Sequence, residues 1–281
     1  MSWPKYLCRT FAGIFAVLCA ACMNQTREKE PMVPSQPTSP PLEAGQMLDK
    51  STDYGKYWPG QPALFKFQTR EPLVLAIPPQ FMKFWIQRDQ VVRAPVPVSR
   101  VPVALSLGFE MFLPDFTGYT PDNYKEEFHE DRVQIIAIEP ANPAQAEPGA
   151  PGHHVPNTLR RWLESGFLVN QVDEKFGLHC YAKPQPSMHR YCFGTRDDNS
   201  GEQILLDIYV PPFEGWVRYP TMQARYYTNR YGGMLIVWRA HIKHLPRWKE
   251  IDQKIWKYVD AWNIAPSITP VALPHNLQPK K

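Results

Sequence analysis

Hydrophobic and polar positions in this chain follow two rhythms, and each predicts a different element. Short apolar or alternating runs at Leu73–Ile77, Phe81–Gln87, Val101–Leu113, Arg132–Ile138, Phe176–Ala182, Met188–Phe193, Gln203–Val210, Met222–Tyr227 and Met234–His241 read as strands. Gly108 inside the third run marks a bulge, and Gly232-Gly233 turns the last two runs into a hairpin. In Pro246–Trp262 the rhythm changes to three and four. There Trp248, Ile251, Ile255, Val259 and Trp262 form one apolar stripe, the face a helix lays on a sheet. Two shorter helices are also predicted. Thr120-Pro121 supplies an N-cap and a first-turn proline for Asp122–Glu130, and Asn157 caps Thr158–Ser165 before Gly166 stops it. Pro140–Pro156 shows no period and reads as a loop. Sequential strands with a few peripheral helices predict an α+β fold, a single domain built on an antiparallel-rich sheet.

The flanks break both rhythms. Residues 1–21 carry Lys5 and Arg9 and no acid, run apolar from Thr10, and end at Ala20-Ala21, the layout of a secretory leader. The apolar run falls well short of the ~20 residues a spanning helix needs. Cys22 after two alanines resembles the lipidated cysteine of a bacterial lipobox, although Cys19 stands where that pattern has leucine. Lipidation of Cys22 is therefore expected, with simple cleavage into the periplasm as the alternative. Met23 is not an aspartate, which in this resemblance implies anchoring to the outer membrane. Residues 22–57 are rich in Pro, Ser, Gln and Glu and read as a semi-extended tether. Residues 58–265 are dense in Trp, Tyr and Phe and suffice for one sizeable core, and 266–281, with Pro266, Pro270, Pro274 and Pro279, reads as an irregular tail.

Charge narrows the partners. The formal net charge of +4 loses Lys5 and Arg9 with the leader, leaving about +2 on the mature chain. With no basic stripe, nucleic acid is not an expected partner, and membrane contact is expected through the N-terminal lipid alone. Cysteine usage points to an oxidising compartment. Cys8 and Cys19 leave with the leader, Cys22 is the anchor, and Cys180 and Cys192 remain as an even pair. They flank a Pro-rich tip (Pro184, Pro186) between two apolar runs, so a hairpin would set them opposite one another within disulfide reach. His179 and His189 would complete a zinc-type ligand set, but His179 and Cys180 are strand neighbours and point to opposite faces. The disulfide is the expected state.

Catalytic patterns are scarce. The chain has no G-x-S-x-G elbow, H-E-x-x-H, P-loop or strand-following G-x-G-x-x-G. His241 and His244 make an H-x-x-H with no apparent third ligand and are expected to cap or face solvent. Asp197–Gly201 lacks calcium-loop spacing and reads as a turn, and Glu110 reads as the solvent-facing member of its strand, with a buried acid of raised pKa as the alternative. No metal, cofactor or enzymatic activity is expected. One segment does suit recognition of another protein: Asp115, Phe116, Tyr119, Tyr124, Glu126, Glu127, Glu130 and Asp131, with Asp122 among them, set aromatic anchors within an acidic rim, the alternative being that the aromatics are core and the acids merely solvated.

The leader, the Pro-rich tether, the stretch Arg100–Tyr119 (RVPVALSLGFEMFLPDFTGY) and the stretch Arg230–Arg239 (RYGGMLIVWR) together resemble a group of proteobacterial envelope proteins. These accompany type VI secretion phospholipase effectors and act as their immunity proteins. The similarity spans most of Trp58–Trp262. It implies a periplasmic, non-enzymatic inhibitor of a cognate secreted phospholipase, of the phospholipase D type in one form, which protects the producing cell. The rival readings are a structural or binding envelope lipoprotein and an envelope hydrolase with a spatially assembled site.

Overall fold

A computed structural model of the chain describes residues 62–82, 98–124, 129–141, 155–169, 171–211 and 220–268. The expected leader, Cys22, the tether, most of the tail, Glu126 and Glu127 lie outside the described residues. The described residues form ten strands. β1 (Ala63–Phe67) and β2 (Leu73–Ile77) make an antiparallel ribbon. The remainder are β3 (Leu107–Phe112), β4 (Arg132–Pro140), β5 (Gln171–Lys175), β6 (Leu178–Tyr181), β7 (His189–Thr195), β8 (Gln203–Tyr209), β9 (Thr221–Thr228) and β10 (Met234–His241). They form one antiparallel sheet in the order β3-β4-β10-β9-β8-β7-β6-β5. The helices are α1 (Val155–Glu164), α2 (Trp248–Trp262) and the short α3 (Ala265–Ile268). The architecture is the α+β, antiparallel-rich class that the apolar rhythm predicts.

Several boundaries move, each for a local reason. Phe81 closes a 3-10 turn begun by Pro79 rather than opening a strand, because Pro78-Pro79 offers no ladder N–H. The Val101–Leu113 run is strand only from Leu107, where a register shift at Gly108 makes the expected bulge. Pro121–Tyr124 is a turn rather than the start of a helix, and 125–128 lie outside the described residues. Helix α1 begins at Val155, so Asn157 sits inside its first turns instead of capping it, while Gly166 stops it at a φ of +71°. β1 and β5 are additions. β5 reads Gln-Val-Asp-Glu-Lys, a sheet edge kept polar, which carries no apolar alternation to detect. Phe176 and Gly177, both at positive φ, turn it into β6.

The sheet has two unlike faces because side chains alternate along every strand. Directly opposed residues on the helix-covered face form one buried row: Phe109, Ile135, Trp238, Ala224, Leu206, Cys192 and Cys180. Helix α2 lies on this face, and its whole expected stripe of Trp248, Ile251, Ile255, Val259 and Trp262 is buried. A 3-10 run (Ile242–Arg247) leads into it, with His241 Nδ1 accepting from the Lys243 N–H as the cap at 3.1 Å. At the far end Asn263 Oδ1 accepts from the Val74 and Ala265 N–H groups, tying the helix exit to β2. On the other face α1 sets Trp162 against the rings of Tyr191 and Phe193, which covers the β7 end.

Cys180 and Cys192 are register partners across β6 and β7, and they are joined by a disulfide. With a sequence separation of 12, the bridge removes denatured-state entropy worth roughly 3 kcal/mol in the chain-entropy model. The Cys180→Ala/Cys192→Ala variant is therefore expected to lose about that much stability in urea unfolding at neutral pH. A loss under about 1 kcal/mol would show that the ladder alone already fixes this hairpin.

Candidate functional site

The segment 113–131 leaves β3, which is an edge of the eight-stranded sheet, and wraps around that edge. Phe112 and Thr117 exchange two backbone hydrogen bonds at its base (2.7 and 3.1 Å). Helix α2 and its 3-10 lead-in then hold the near side, with Tyr258 Oη of the helix donating to the Phe116 carbonyl and Arg247 Nη2 of the lead-in to the Pro114 carbonyl. Further along, the Tyr119 N–H donates to the Gln80 carbonyl at 2.7 Å. Thr120 and Asn123 close the next turn reciprocally, each side chain accepting from the other's N–H. The loop is thus fixed by contacts to three elements before any partner arrives.

Burial separates the expected recognition residues into two groups. Phe116 and Tyr119 are buried, so they are not surface anchors: Phe116 packs beneath the cationic ends of Arg247 and Lys254, and Tyr119 stacks edge-on to Phe112. Tyr124 is half-buried, whereas Asp115, Asp122 and Glu130 are exposed. Asp131 is half-buried. Phe116 and Tyr119 act as the ballast that holds the loop, and Asp115, Asp122 and Glu130 are the acids it shows to solvent.

Glu110 departs from its expected solvent-facing position, being only 2 % exposed. Tyr119 Oη donates to it, Gln134 Nε2 donates at 2.9 Å, and the Arg132 guanidinium lies 3.7 Å away. Gln134 in turn accepts from Arg239 Nη2 at 2.6 Å, so a polar chain runs across β10 and β4 to the buried carboxylate. The loop folding over the β3 edge is what buries Glu110. Strand alternation alone sends it to the uncovered face, and no local pattern announces the cover. Burial and the neighbouring Glu110 charge push the Tyr119 phenol well above its ordinary range, so it stays a donor.

Glu130 and Asp131 meet the H-x-x-H. Lys243 Nζ contacts Glu130 at 2.8 Å and Asp131 at 2.9 Å, and His244 Nε2 lies 3.0 Å from Asp131 Oδ1. His241 caps the 3-10 run, and the Asp131 N–H donates to His129 Nδ1 at 3.1 Å. Burial lowers the His244 pKa from 6.5, against the pull of Asp131. Burial also opposes the charge on Asp131, but Lys243 and then His244 hold its carboxyl below the usual 3.8. A histidine depressed in the folded state takes up its proton more readily when unfolded. Its contribution is therefore complete above about pH 6.5 and is lost as the pH falls from there toward the folded value. Asp131 fades only at lower pH. His244→Gln is expected to flatten the fall in unfolding free energy between about pH 7 and about pH 5 relative to the parent. Identical slopes would remove His244 from that titration.

Among the described residues, no group of three or more His, Cys, Asp or Glu side chains converges to hold a metal ion. His179 lies 3.5 Å from Glu174 and His189 2.8 Å from Asp207, while the two cysteines bond each other. Asp197–Gly201 is the β7–β8 turn, in which Asp198 Oδ1 accepts from the Ser200 N–H.

Sequence reasoning did not find the buried charge cluster under α2. Arg196, whose side chain is fully buried, donates from Nε to Asp252 Oδ2 at 2.9 Å and from Nη1 to Glu202 at 2.7 Å, and it meets Asp198 at 2.8 Å. Asp252 Oδ1 also accepts from Tyr226 Oη (2.5 Å) and Trp238 Nε1 (3.1 Å), and Trp256 Nε1 donates to Tyr226 Oη. Burial works against the Arg196 charge, but Tyr226 and Asp252 outweigh it and hold its pKa above the ordinary value. One signal was present: Asp252 falls four residues after Trp248 and three before Ile255, inside the apolar stripe.

No protein-family model matches this chain, and no curated protein matches it by sequence. Among solved structures, it is similar to an immunity protein of the Stenotrophomonas maltophilia type IV secretion system. That similarity has 12 % identity and a TM-score of 0.46, and it covers 72 % of this chain and 93 % of the other.

Proposed function

We propose that this chain is a periplasmic immunity protein that binds and neutralises a cognate secreted antibacterial phospholipase. The observation that carries the reading is the 113–131 loop, whose Asp115, Asp122 and Glu130 are exposed while its backbone is fastened to α2, β3 and the 79–81 turn. A lipase that grips phosphate does so with cationic side chains, and carboxylates presented from a fixed loop match such a site. Fixing the loop beforehand lowers the ordering cost of association. The secretory leader and the sequence resemblance favour the same compartment and class, and the Cys180–Cys192 bridge suits an oxidising one. A lipid on Cys22 would hold the body at the outer membrane on its Pro-rich tether, which raises its local concentration where a phospholipase acts. The reading is tested by looking for a secreted lipase gene beside this one, co-purifying its product with the protein and titrating the protein into a phospholipid hydrolysis assay. Stoichiometric loss of activity is expected, and full activity at saturating protein would refute it.

A further inference from the structure

Antiparallel pairing brings the acidic loop and an apolar cleft to the same end of the sheet. The register row His189–Tyr209–Thr221–His241 marks that end across β7 to β10, and the pair Arg132–Phe112 continues it to the β3 edge. The acidic loop joins β3 to β4 there, and beside β8 opens a cleft of about 630 Å3. Buried Ile208 and Cys180 line its floor, and Ile242 and Leu245 of the 3-10 run line one wall. Met188 and Val210 stand at the mouth, 47 % and 48 % exposed, placed side by side by the Val210 N–H donating to the Met188 carbonyl at 2.9 Å. The charged lining is already engaged. Asp173 and Arg190 pair at 3.9 Å, and the Lys175 and Lys183 ammonium groups lie over the Phe176 and Phe167 rings.

The 3-10 run ties the cleft to the loop. Side chains three apart eclipse one another in such a run. Ile242 and Leu245 therefore share one face, which lines the cleft, while His244 and Arg247 share another, which holds the loop at Asp131 and at the Pro114 carbonyl. Lys243 binds Glu130 and Asp131. The start of β4, next to Asp131, and the end of β8, next to Val210, are three strand spacings apart, about 14 Å. A standard interface covers about 800 Å2 a side, roughly 30 Å across, so one partner reaches both.

We infer that the cleft is the anchor pocket of the interface whose rim is the acidic loop. Its occupant is an apolar loop tip of the cognate lipase, carrying one or two large side chains beside the lipase's phosphate-gripping cations. The inference rests on the immunity reading and assigns where the affinity resides. An enzyme that acts on phospholipid meets both parts of its substrate, so its site mouth sets apolar side chains beside cations. A cleft flanked by fixed carboxylates is the complement of that pairing. Apolar anchors in a desolvated pocket hold a complex together, whereas rim charges act on encounter.

The test measures association and dissociation rates of the full chain, disulfide intact, on immobilised lipase. Met188→Asp/Val210→Asp is expected to speed dissociation at least about tenfold while changing association less than about threefold. Both positions are half-exposed, so an unchanged urea midpoint is expected as the check on folding. Met188→Leu keeps the apolar volume and should leave both rates within about twofold of the parent. A readout without substitution uses the Met188 thioether, whose peroxide oxidation, followed by peptide mass, is expected to slow at least about fivefold in the complex. A folded double variant that dissociates at the parental rate, or Met188 oxidised equally fast in the complex, would overturn the proposal and leave the immunity reading standing, because the parent still inhibits. A parent that neither binds nor inhibits the lipase would overturn both. Self-association of the protein without lipase, abolished by the double variant, would assign the cleft to a second copy and overturn the proposal as well.

Discussion

Asp252→Ala is expected to cost about 3–5 kcal/mol of stability, the range for breaking one side of a buried ion pair. Three donors lose their acceptor together: the Arg196 Nε–H, the Tyr226 hydroxyl and the Trp238 indole N–H. Tyr226 and Trp238 are fully buried, so water cannot replace the lost oxygens without opening the helix–sheet interface. The guanidinium keeps Glu202 and Asp198 but loses the partner that lies deepest. Glu202→Ala makes the contrast. Glu202 is partly exposed and Arg196 retains two acids, so about 1 kcal/mol is expected. Urea unfolding of both variants at neutral pH decides the matter, and an Asp252→Ala cost under about 1 kcal/mol would mean that α2 is held by its apolar stripe alone.

The second large effect concerns capture. If the protein neutralises a phospholipase as proposed, reversing Asp115, Asp122, Glu126 and Glu127 to lysine is expected to weaken that binding at least a hundredfold, about 3 kcal/mol. Asp115 and Asp122 are exposed on a loop already fixed by α2 and the 79–81 turn. Their reversal therefore replaces attraction with repulsion at one spot instead of being absorbed by rearrangement. Glu130 and Asp131 are left intact because they hold Lys243 and His244, and losing them would mix a folding defect with a binding one. An unchanged urea midpoint separates the two causes. Undiminished inhibition by the reversed variant would remove the acidic loop from the interface. Because rim charges act mainly on encounter, the parent's association rate should also fall as salt is raised.

The apolar stripe of α2 was readable because a helix packed on a sheet must place its large side chains at spacings of three and four, and this stripe keeps that spacing over four turns. The β9–β10 hairpin was equally plain, since Gly232 and Gly233 take positive φ at the turn that joins two alternating runs. The disulfide followed from parity and position, and the register pairing of Cys180 with Cys192 meets that expectation. Legibility failed where an outcome depended on what lies across the sheet. β5 is a polar edge whose strand character comes from hydrogen bonds to β6. Glu110 is buried by a loop that arrives from its own C-terminal side and turns back over the edge, a route no alternation pattern encodes. Phe116 and Tyr119 looked like surface anchors beside acids, but the same loop carries them inward.

By itself the sequence determined the class of fold, the helix that covers the sheet, the cysteine pair and the concentration of acids in 115–131. These are properties of local spacing, and local spacing fixes which face of an element is apolar. The tertiary structure decided which acids are free to meet a partner, because freedom depends on contacts between residues distant in the chain: Lys243 with Glu130 and Asp131, and Tyr258 with Phe116. It also decided that Arg196 and Asp252, 56 positions apart, share one buried cluster. Burial, pairing and open space are relations between elements, and only the packed chain establishes them.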